Sequence, residues 1–202
     1  MARPNRSNEK RAELLPIVAK AFSELGYRKA TTKALAQRCG VQENILYRLW
    51  KDKKAMFAAS IEYLFDATMQ QWQTALNEPG EGTAAERILA YDSTHRGEQG
   101  FYRITFAALS ETDDPEVKAA LRSMYGRFTK FIEKQIGEHR ADHPRNHPRD
   151  LPDELPGEFV ATWAILGVAT AADIGREIGL LTGPKRKALV AQAGRWLLEG
   201  HT

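Results

Sequence analysis

CGVQENILYRLWKDKKAMF, residues 39–57, decides the fold. It holds a glycine, a short run with polar residues at its start, an apolar pair at Leu46 and Trp50, and then Lys51, Lys53 and Lys54. With the residues before it, the stretch meets the demands of two short helices packed steeply across a tight turn. Such a pair needs a small residue where the helices touch, which Ala36 supplies. It also needs a turn residue that tolerates positive φ, which Gly40 supplies. Leu35, Cys39, Val41, Leu46 and Leu49 or Trp50 then fall where the two helices meet the preceding one. In that setting Cys39 reads as a small buried hydrophobe, not as a reactive thiol.

The second helix of the pair shows Gln42, Glu43, Asn44, Tyr47 and Arg48 on the face away from this core. Asn and Gln side chains can pair bidentately with adenine, and Arg with guanine. Lys51 and Lys53 follow where a phosphate backbone would run. Thr31 and Thr32, with Lys33 beside them, offer hydroxyls and backbone N–H groups at the start of the first helix. Each residue alone is an ordinary solvated helix position, and the set together points to DNA. The charge distribution agrees. Residues 1–60 carry 13 Lys/Arg against 5 Asp/Glu, whereas residues 61–202 carry 16 against 21, so a basic end adjoins an acidic body.

Apolar residues recur with helical spacing along the whole chain, with no sustained strand alternation, so the expected class is all-α with about nine helices. A first helix is expected from Ser7 or Asn8 to Leu25, ended by Gly26. Pro16 lies inside it at a cost of about 3 kcal/mol for an interior helical position. Either the helix kinks there or its regular part begins near Pro16. Further helices are expected at 33–39, 42–50, 54–76, 83–96, 99–110, 115–140, 158–181 and 185–199. Prolines at 144, 148, 152 and 156 exclude helix between the last long ones and favour an extended connector over 143–158.

Residues 11–57 resemble the DNA-binding domain of the TetR (tetracycline repressor) family. The resemblance rests on Leu14-Leu15, Phe22, Gly26-Tyr27, Thr31-Thr32, Leu35-Ala36, Gly40-Val41, Leu46-Tyr47, Trp50 and Lys53. It implies a helix-turn-helix domain over residues 1–53 and a helical effector-binding and dimerisation domain over 54–202. It also implies a ligand-responsive regulator, most readily a repressor, that binds a palindromic operator as a homodimer and releases it when a small molecule binds. The chain departs from the family at Gln42, where Ser or Thr is usual, at Asn44, where a small residue or Pro is usual, and at Ile45 and Leu49. Asn44 thereby gains weight as a base reader.

In the second domain, Phe159, Trp163, Gly167, Ala171, Ile174 and Ile178 fall at helical spacing, and Trp196 joins them from the last helix. Small residues at 167, 171, 175 and 179 would let two helix backbones approach closely, which suits a dimer interface. For an effector pocket the polar and aromatic candidates are Trp72, Tyr91, His95, Tyr102, Arg103, Phe106, Tyr125 and Phe128.

Other classes fit less well. No inward Glu-x-x-His pair, phosphate loop or nucleophile in a recognisable setting occurs, so no catalytic site and no cofactor are expected. His139, His143 and His147 have helical metal-ligand spacing, but Pro144 and Pro148 break the helix, and no metal site is expected. The single cysteine excludes an internal disulfide. The longest apolar run, Phe159 to Ala172, is too short to cross a bilayer, and no secretory signal is read at Met1, so a cytoplasmic chain with no membrane partner is expected. A DNA-binding regulator or architectural protein without an effector is the second reading.

Overall fold

In the computed structural model, residues 6–95, 100–143 and 157–199 are described. They form α1 (Arg6–Lys29), α2 (Thr32–Arg38), α3 (Glu43–Leu49), α4 (Lys53–Asn77), α5 (Ala84–His95), α6 (Phe101–Leu109), α7 (Pro115–Asp142), α8 (Gly157–Glu177) and α9 (Gly183–Glu199), with no strand among the described residues. The connector expected around residues 144–156 lies outside the described residues.

By their contacts the helices divide into two compact units. One comprises α1, α2, α3, α4 through Met69, α6 and α7 through Met124; the other comprises α4 from Gln70, α5, α7 from Tyr125, α8 and α9. The division expected at residue 53 follows role, whereas this one follows packing.

In the first unit, Leu14, Val18 and Phe22 of α1 are buried with Leu35, Leu46, Trp50, Phe57 and Ile61. These positions recur every three or four residues on α1, which is what gives the helix one apolar face. Phe22 meets Phe57 edge-on at 4.9 Å, and Tyr27 lies 4.8 Å from Phe57. Each such fully buried side chain contributes about 1.5–3 kcal/mol. The open question at Pro16 resolves as a continuous helix: the one non-helical residue inside α1 is Gly26, at φ 72°. Pro16 is tolerated because Ala12, whose carbonyl loses its helical donor, is exposed to water.

The second unit is built on α9, which packs against α5 and α8. Gly194 makes the approach possible, since a Cβ there would lie 2.4 Å from Leu89 Cδ1. Arg140 of α7 caps the end of α9, its Nη2 donating to the Leu197 carbonyl at 3.1 Å and its Nε to that of Leu198 at 3.4 Å. Asp173 and Arg186 are buried together at 3.8 Å, and Arg186 also donates to the Ser93 carbonyl at 3.2 Å.

Two sequence expectations need correction here. α8 is 21 residues long and, by length and composition, apolar enough to cross a membrane, so the length of its apolar run does not exclude a span. Its buried face carries Asp173 beside Ala169 and Ala172, and a charge placed there is costly unless paired within protein. The four-residue repeat of small residues also has two roles, not one. Gly175 is buried under Leu181, and Gly179, at φ 77°, ends α8. The Leu180 N–H bonds to the Gly175 carbonyl at 2.8 Å and the Gly179 N–H to that of Arg176 at 3.1 Å, a closed helix end. Within α8 itself, Gly167 and Ala171 are the exposed members of the repeat.

Candidate nucleic-acid interface and ligand cavity

The turn between α2 and α3 is fixed locally. The Thr31 hydroxyl caps α2 by accepting from the Ala34 N–H at 3.1 Å. Gly40 sits at φ 64°; its N–H reaches the Gln37 carbonyl at 3.2 Å while the Val41 N–H reaches Ala36 at 3.0 Å. Those two bonds close α2 and aim the chain into α3. Leu46 and Trp50 then anchor α3, both buried, with Arg11 of α1 stacked 5.4 Å over the Trp50 ring. Ile45, Leu49 and Cys39 are half-buried, and burial pushes the Cys39 thiol above its ordinary pKa.

What remains outward is the polar set expected from the sequence. Gln42, Glu43, Asn44, Tyr47 and Arg48 are all exposed, with Asn44 and Arg48 on the side of α3 opposite Leu46. Thr32 lies at the edge of this face, its hydroxyl 3.1 Å from the Tyr47 hydroxyl, and Lys33 is exposed beside it. The lysines that follow are less free than the sequence suggests. Lys51 pairs with Glu116 and Lys54 with Asp114, each at 2.7 Å. Lys53 lies past α3, where it opens α4, with its ammonium 4.3 Å over the Tyr27 ring, and burial lowers its pKa.

One part of this surface was missed in the sequence. Arg6 and Lys10, one turn apart on α1, line a groove with Val41, Ile45, Arg48 and Leu49, so three cations converge beside α3. Their i, i+4 spacing was the available signal.

The second unit holds a cavity of about 60 Å³ that is partly open to solvent. It lies among α4, α5, α7, α8 and α9. Of the eight residues expected to form a pocket, Trp72 and Phe128 line it, their rings 4.9 Å apart. Tyr91 and His95 stack on each other at 4.4 Å and Tyr125 is half-buried, yet none of the three lines it. Tyr102, Arg103 and Phe106 belong to α6 in the first unit, where Tyr102 is buried and accepts from Arg103 Nε at 3.0 Å. They drop out because α6 packs on α1. Most of the lining is aliphatic, including Ile88, Leu89, Ile132, Ile136, Ile165 and Leu166, residues that in a sequence look like plain core. Asp92 and Gln135 are its polar members.

His139 is buried, with Nδ1 2.7 Å from the Thr83 hydroxyl, and its ring stacks on His143 at 4.8 Å. Burial lowers the His139 pKa. No group of three metal-binding side chains occurs among the described residues, and His147 lies outside them.

The residues expected at a dimer interface are all exposed. Trp163 is 47% exposed, Trp196 56% and Ile178 64%, with Phe159, Ile174, Gly167 and Ala171 exposed alongside them. Val160, Leu180 and Leu189 extend the same apolar character. Nothing lies within 4 Å of a Cβ built on Gly167.

Comparison with known proteins follows the same division. Residues 19–60 match the family model described as bacterial regulatory proteins, tetR family. Over 89 residues the chain is 38% identical to the nucleoid occlusion factor SlmA of Vibrio vulnificus (strain YJ016). That match spans 44% of this chain and 44% of the relative, less than half the length of either. Among solved structures, a TetR-family regulator from Cytophaga hutchinsonii superposes with a TM-score of 0.76 at 14% identity, over 98% of this chain and 97% of that one. The regulator FadR from Bacillus subtilis, solved in complex with stearoyl-CoA, gives 0.69 at 13% identity over 95% and 99%. At such identities the likeness is one of fold.

Proposed function

We propose that the chain, whose residues 19–60 match the model of the tetR family of bacterial regulatory proteins, is a ligand-responsive transcriptional repressor of that family. It binds a palindromic operator as a homodimer and leaves it when a small molecule occupies the second domain. The observation that carries this reading is the division of α3 into a buried side, Leu46, and an exposed side, Asn44, Tyr47 and Arg48. A helix held by one face and offering fork-shaped polar groups on the other suits a major groove. Residues 1–53 form the reading domain and 54–202 the effector and dimer domain. Thr31, Thr32 and Lys33 flank the reading face, Gln42 and Glu43 open it, and Lys51 and Lys53 meet the phosphate backbone. The apolar surface of α8 and α9 supports the homodimer, because a patch carrying two half-exposed tryptophans is costly to leave in water. The cavity supports the effector, and the FadR complex with stearoyl-CoA is a precedent for a ligand on this fold. No enzymatic step is assigned, and action on DNA places the protein in the cytoplasm.

The test starts from operator fragments selected from genomic DNA with the purified protein. Arg48→Ala and Asn44→Ala should each cost roughly 1–3 kcal/mol on the selected operator and little on scrambled DNA. Equal losses on both would mean that these residues only position α3. The likeness to a nucleoid occlusion factor favours a second reading, a DNA-binding or architectural protein with no effector. A metabolite panel titrated against the operator complex separates the two: release by any member supports the repressor.

A further inference from the structure

We propose that the cavity of the second unit takes a small uncharged molecule, apolar apart from one hydrogen-bond donor, and that Gln135 reads the donor. This rests on the reading of that cavity as an effector site and names the chemistry of the effector. Gln135 of α7 lines the cavity and is only 8% exposed. Its Oε1 is buried with no hydrogen-bond partner, although its Nε2 donates to Glu138 Oε2 at 3.3 Å. That bond fixes which way round the amide stands, because a carboxylate accepts and only the NH2 end can donate to it. The oxygen is therefore the end left open. Buried acceptors are rarely left without a donor, so the site is complete only when something supplies one.

Water is poorly suited to be that donor. A buried water typically makes about three hydrogen bonds. Apart from Gln135 and Asp92, every residue lining the cavity is apolar, and Asp92 already has an interaction of its own. A space of about 60 Å³ is more than one water needs and suits the few heavy atoms of a small ligand. Its walls include Trp72, Phe128, Ile132 and Ile136, which favour an apolar body removed from water. Charge of either sign fits less well. An anion would meet the Gln135 acceptor and no basic residue in the lining. An ammonium carries three donors and a charge, and a neutral amide oxygen satisfies one or two of the former and none of the latter. A hydroxyl or an amide N–H brings a single donor and no charge, which matches what Gln135 leaves open.

Two isomers isolate the donor: 1-butanol and methyl propyl ether, which has the same atoms but none to donate. Each is titrated into the full-length, isotope-labelled protein and followed by NMR, with butylammonium and butyrate as charged counterparts. 1-Butanol is expected to bind on the order of threefold to tenfold tighter than the ether, the net worth of one neutral hydrogen bond. It should also shift the side-chain amide signals of Gln135, which are recognised by their absence from Gln135→Met. In Gln135→Met the two isomers should bind alike, with a melting curve verifying the fold. Should that variant not fold, the wild-type preference and the Gln135 amide shift decide by themselves. Equal binding of the isomers to wild type would mean that water serves Gln135 and overturns the assignment. So does an alcohol preference kept by Gln135→Met, a charged counterpart binding as tightly as 1-butanol, or no binding of any probe. Operator binding measured on the same samples keeps the two readings apart. 1-Butanol that binds in this order without releasing operator supports the donor site and counts against effector gating alone. A protein that binds operator but no probe defeats the donor site alone.

Discussion

Gly194→Ala is the most informative single change in the second unit, because two physical terms of opposite sign meet there. Helix propensity alone favours alanine by about 1 kcal/mol inside a helix such as α9. Packing opposes it. The new Cβ would lie 2.4 Å from Leu89 Cδ1, 2.8 Å from Cδ2 and 3.1 Å from Cγ. Carbon atoms settle near 3.5–4.0 Å, so turning one methyl away does not relieve the overlap, and the whole Leu89 side chain must move. Leu89 borders the cavity and has room to swing into it. Overpacking of this kind costs about 1–3 kcal/mol, leaving a net loss of roughly 0–2 kcal/mol after the propensity gain. For a chain of this size each kcal/mol corresponds to about 2–4 °C in Tm. The assay is urea unfolding by circular dichroism at fixed protein concentration, for wild type, Gly194→Ala, Leu89→Ala and the double variant. In the Leu89→Ala background the clash is gone, and Gly194→Ala should become stabilising, a reversal of sign. A Gly194→Ala protein clearly more stable than wild type, or the same increment in both backgrounds, would refute the packing argument.

Three further outcomes are expected. Ala171→Leu, at an exposed position of α8, should convert the proposed homodimer to monomer in analytical ultracentrifugation at micromolar concentration; a variant that still sediments as a dimer would move the interface elsewhere, and a monomeric wild type would refute the dimer. Lys53→Ala should weaken binding to operator and to unrelated DNA alike and reduce the salt slope by about 0.9 if one phosphate contact is lost. Unchanged salt dependence would leave Lys53 with only its place over the Tyr27 ring. Because burial holds the His139 pKa below that of an unfolded histidine, the unfolded chain takes up more protons as pH falls through about 6.5. Stability should be full above that pH and decline below it, and His139→Gln should lack that part of the decline; identical Tm profiles from pH 7.5 to 5.5 would contradict it.

The helix-turn-helix was legible because its requirements are local. Gly40, Thr31, Leu46 and Trp50 act within a few residues of one another, so spacing alone locates them. The apolar face of α8 was legible for a similar reason, since one helical period separates Phe159, Trp163 and Gly167. What escaped depends on distant partners. Nothing near Lys51 in the chain announces Glu116, and only packing reveals that α6 joins α1 and takes Tyr102 away from the cavity. The lining itself was hidden by composition, since Ile88, Ile132 and Leu166 bordering a space read the same as Ile and Leu filling one. Gly175 and Gly179 misled because a repeat of small residues does not say which members pack and which end the helix.

The pairing of Lys51 and Lys54 with acids at the start of α7 changes how the basic surface behaves as a polyelectrolyte. Asp114 does two jobs: one oxygen accepts the Glu116 and Val117 N–H groups at 2.9 and 3.2 Å, the other holds Lys54. If a phosphate drew Lys54 away, Asp114 would keep its backbone donors, so the lysine can be surrendered without stranding a bare carboxylate. Asp114 and Glu116 thus act as resident counterions, covalently tethered in place of mobile salt. A lysine that exchanges a tethered anion for a phosphate still displaces the cations condensed on that phosphate, but it gives up an ion pair it already had. The net electrostatic gain from a phosphate is therefore smaller at those two positions, where a pair with Glu116 or Asp114 has to be given up. Binding to DNA at large is thereby restrained, and the burden of affinity shifts toward contacts that only the right sequence can make.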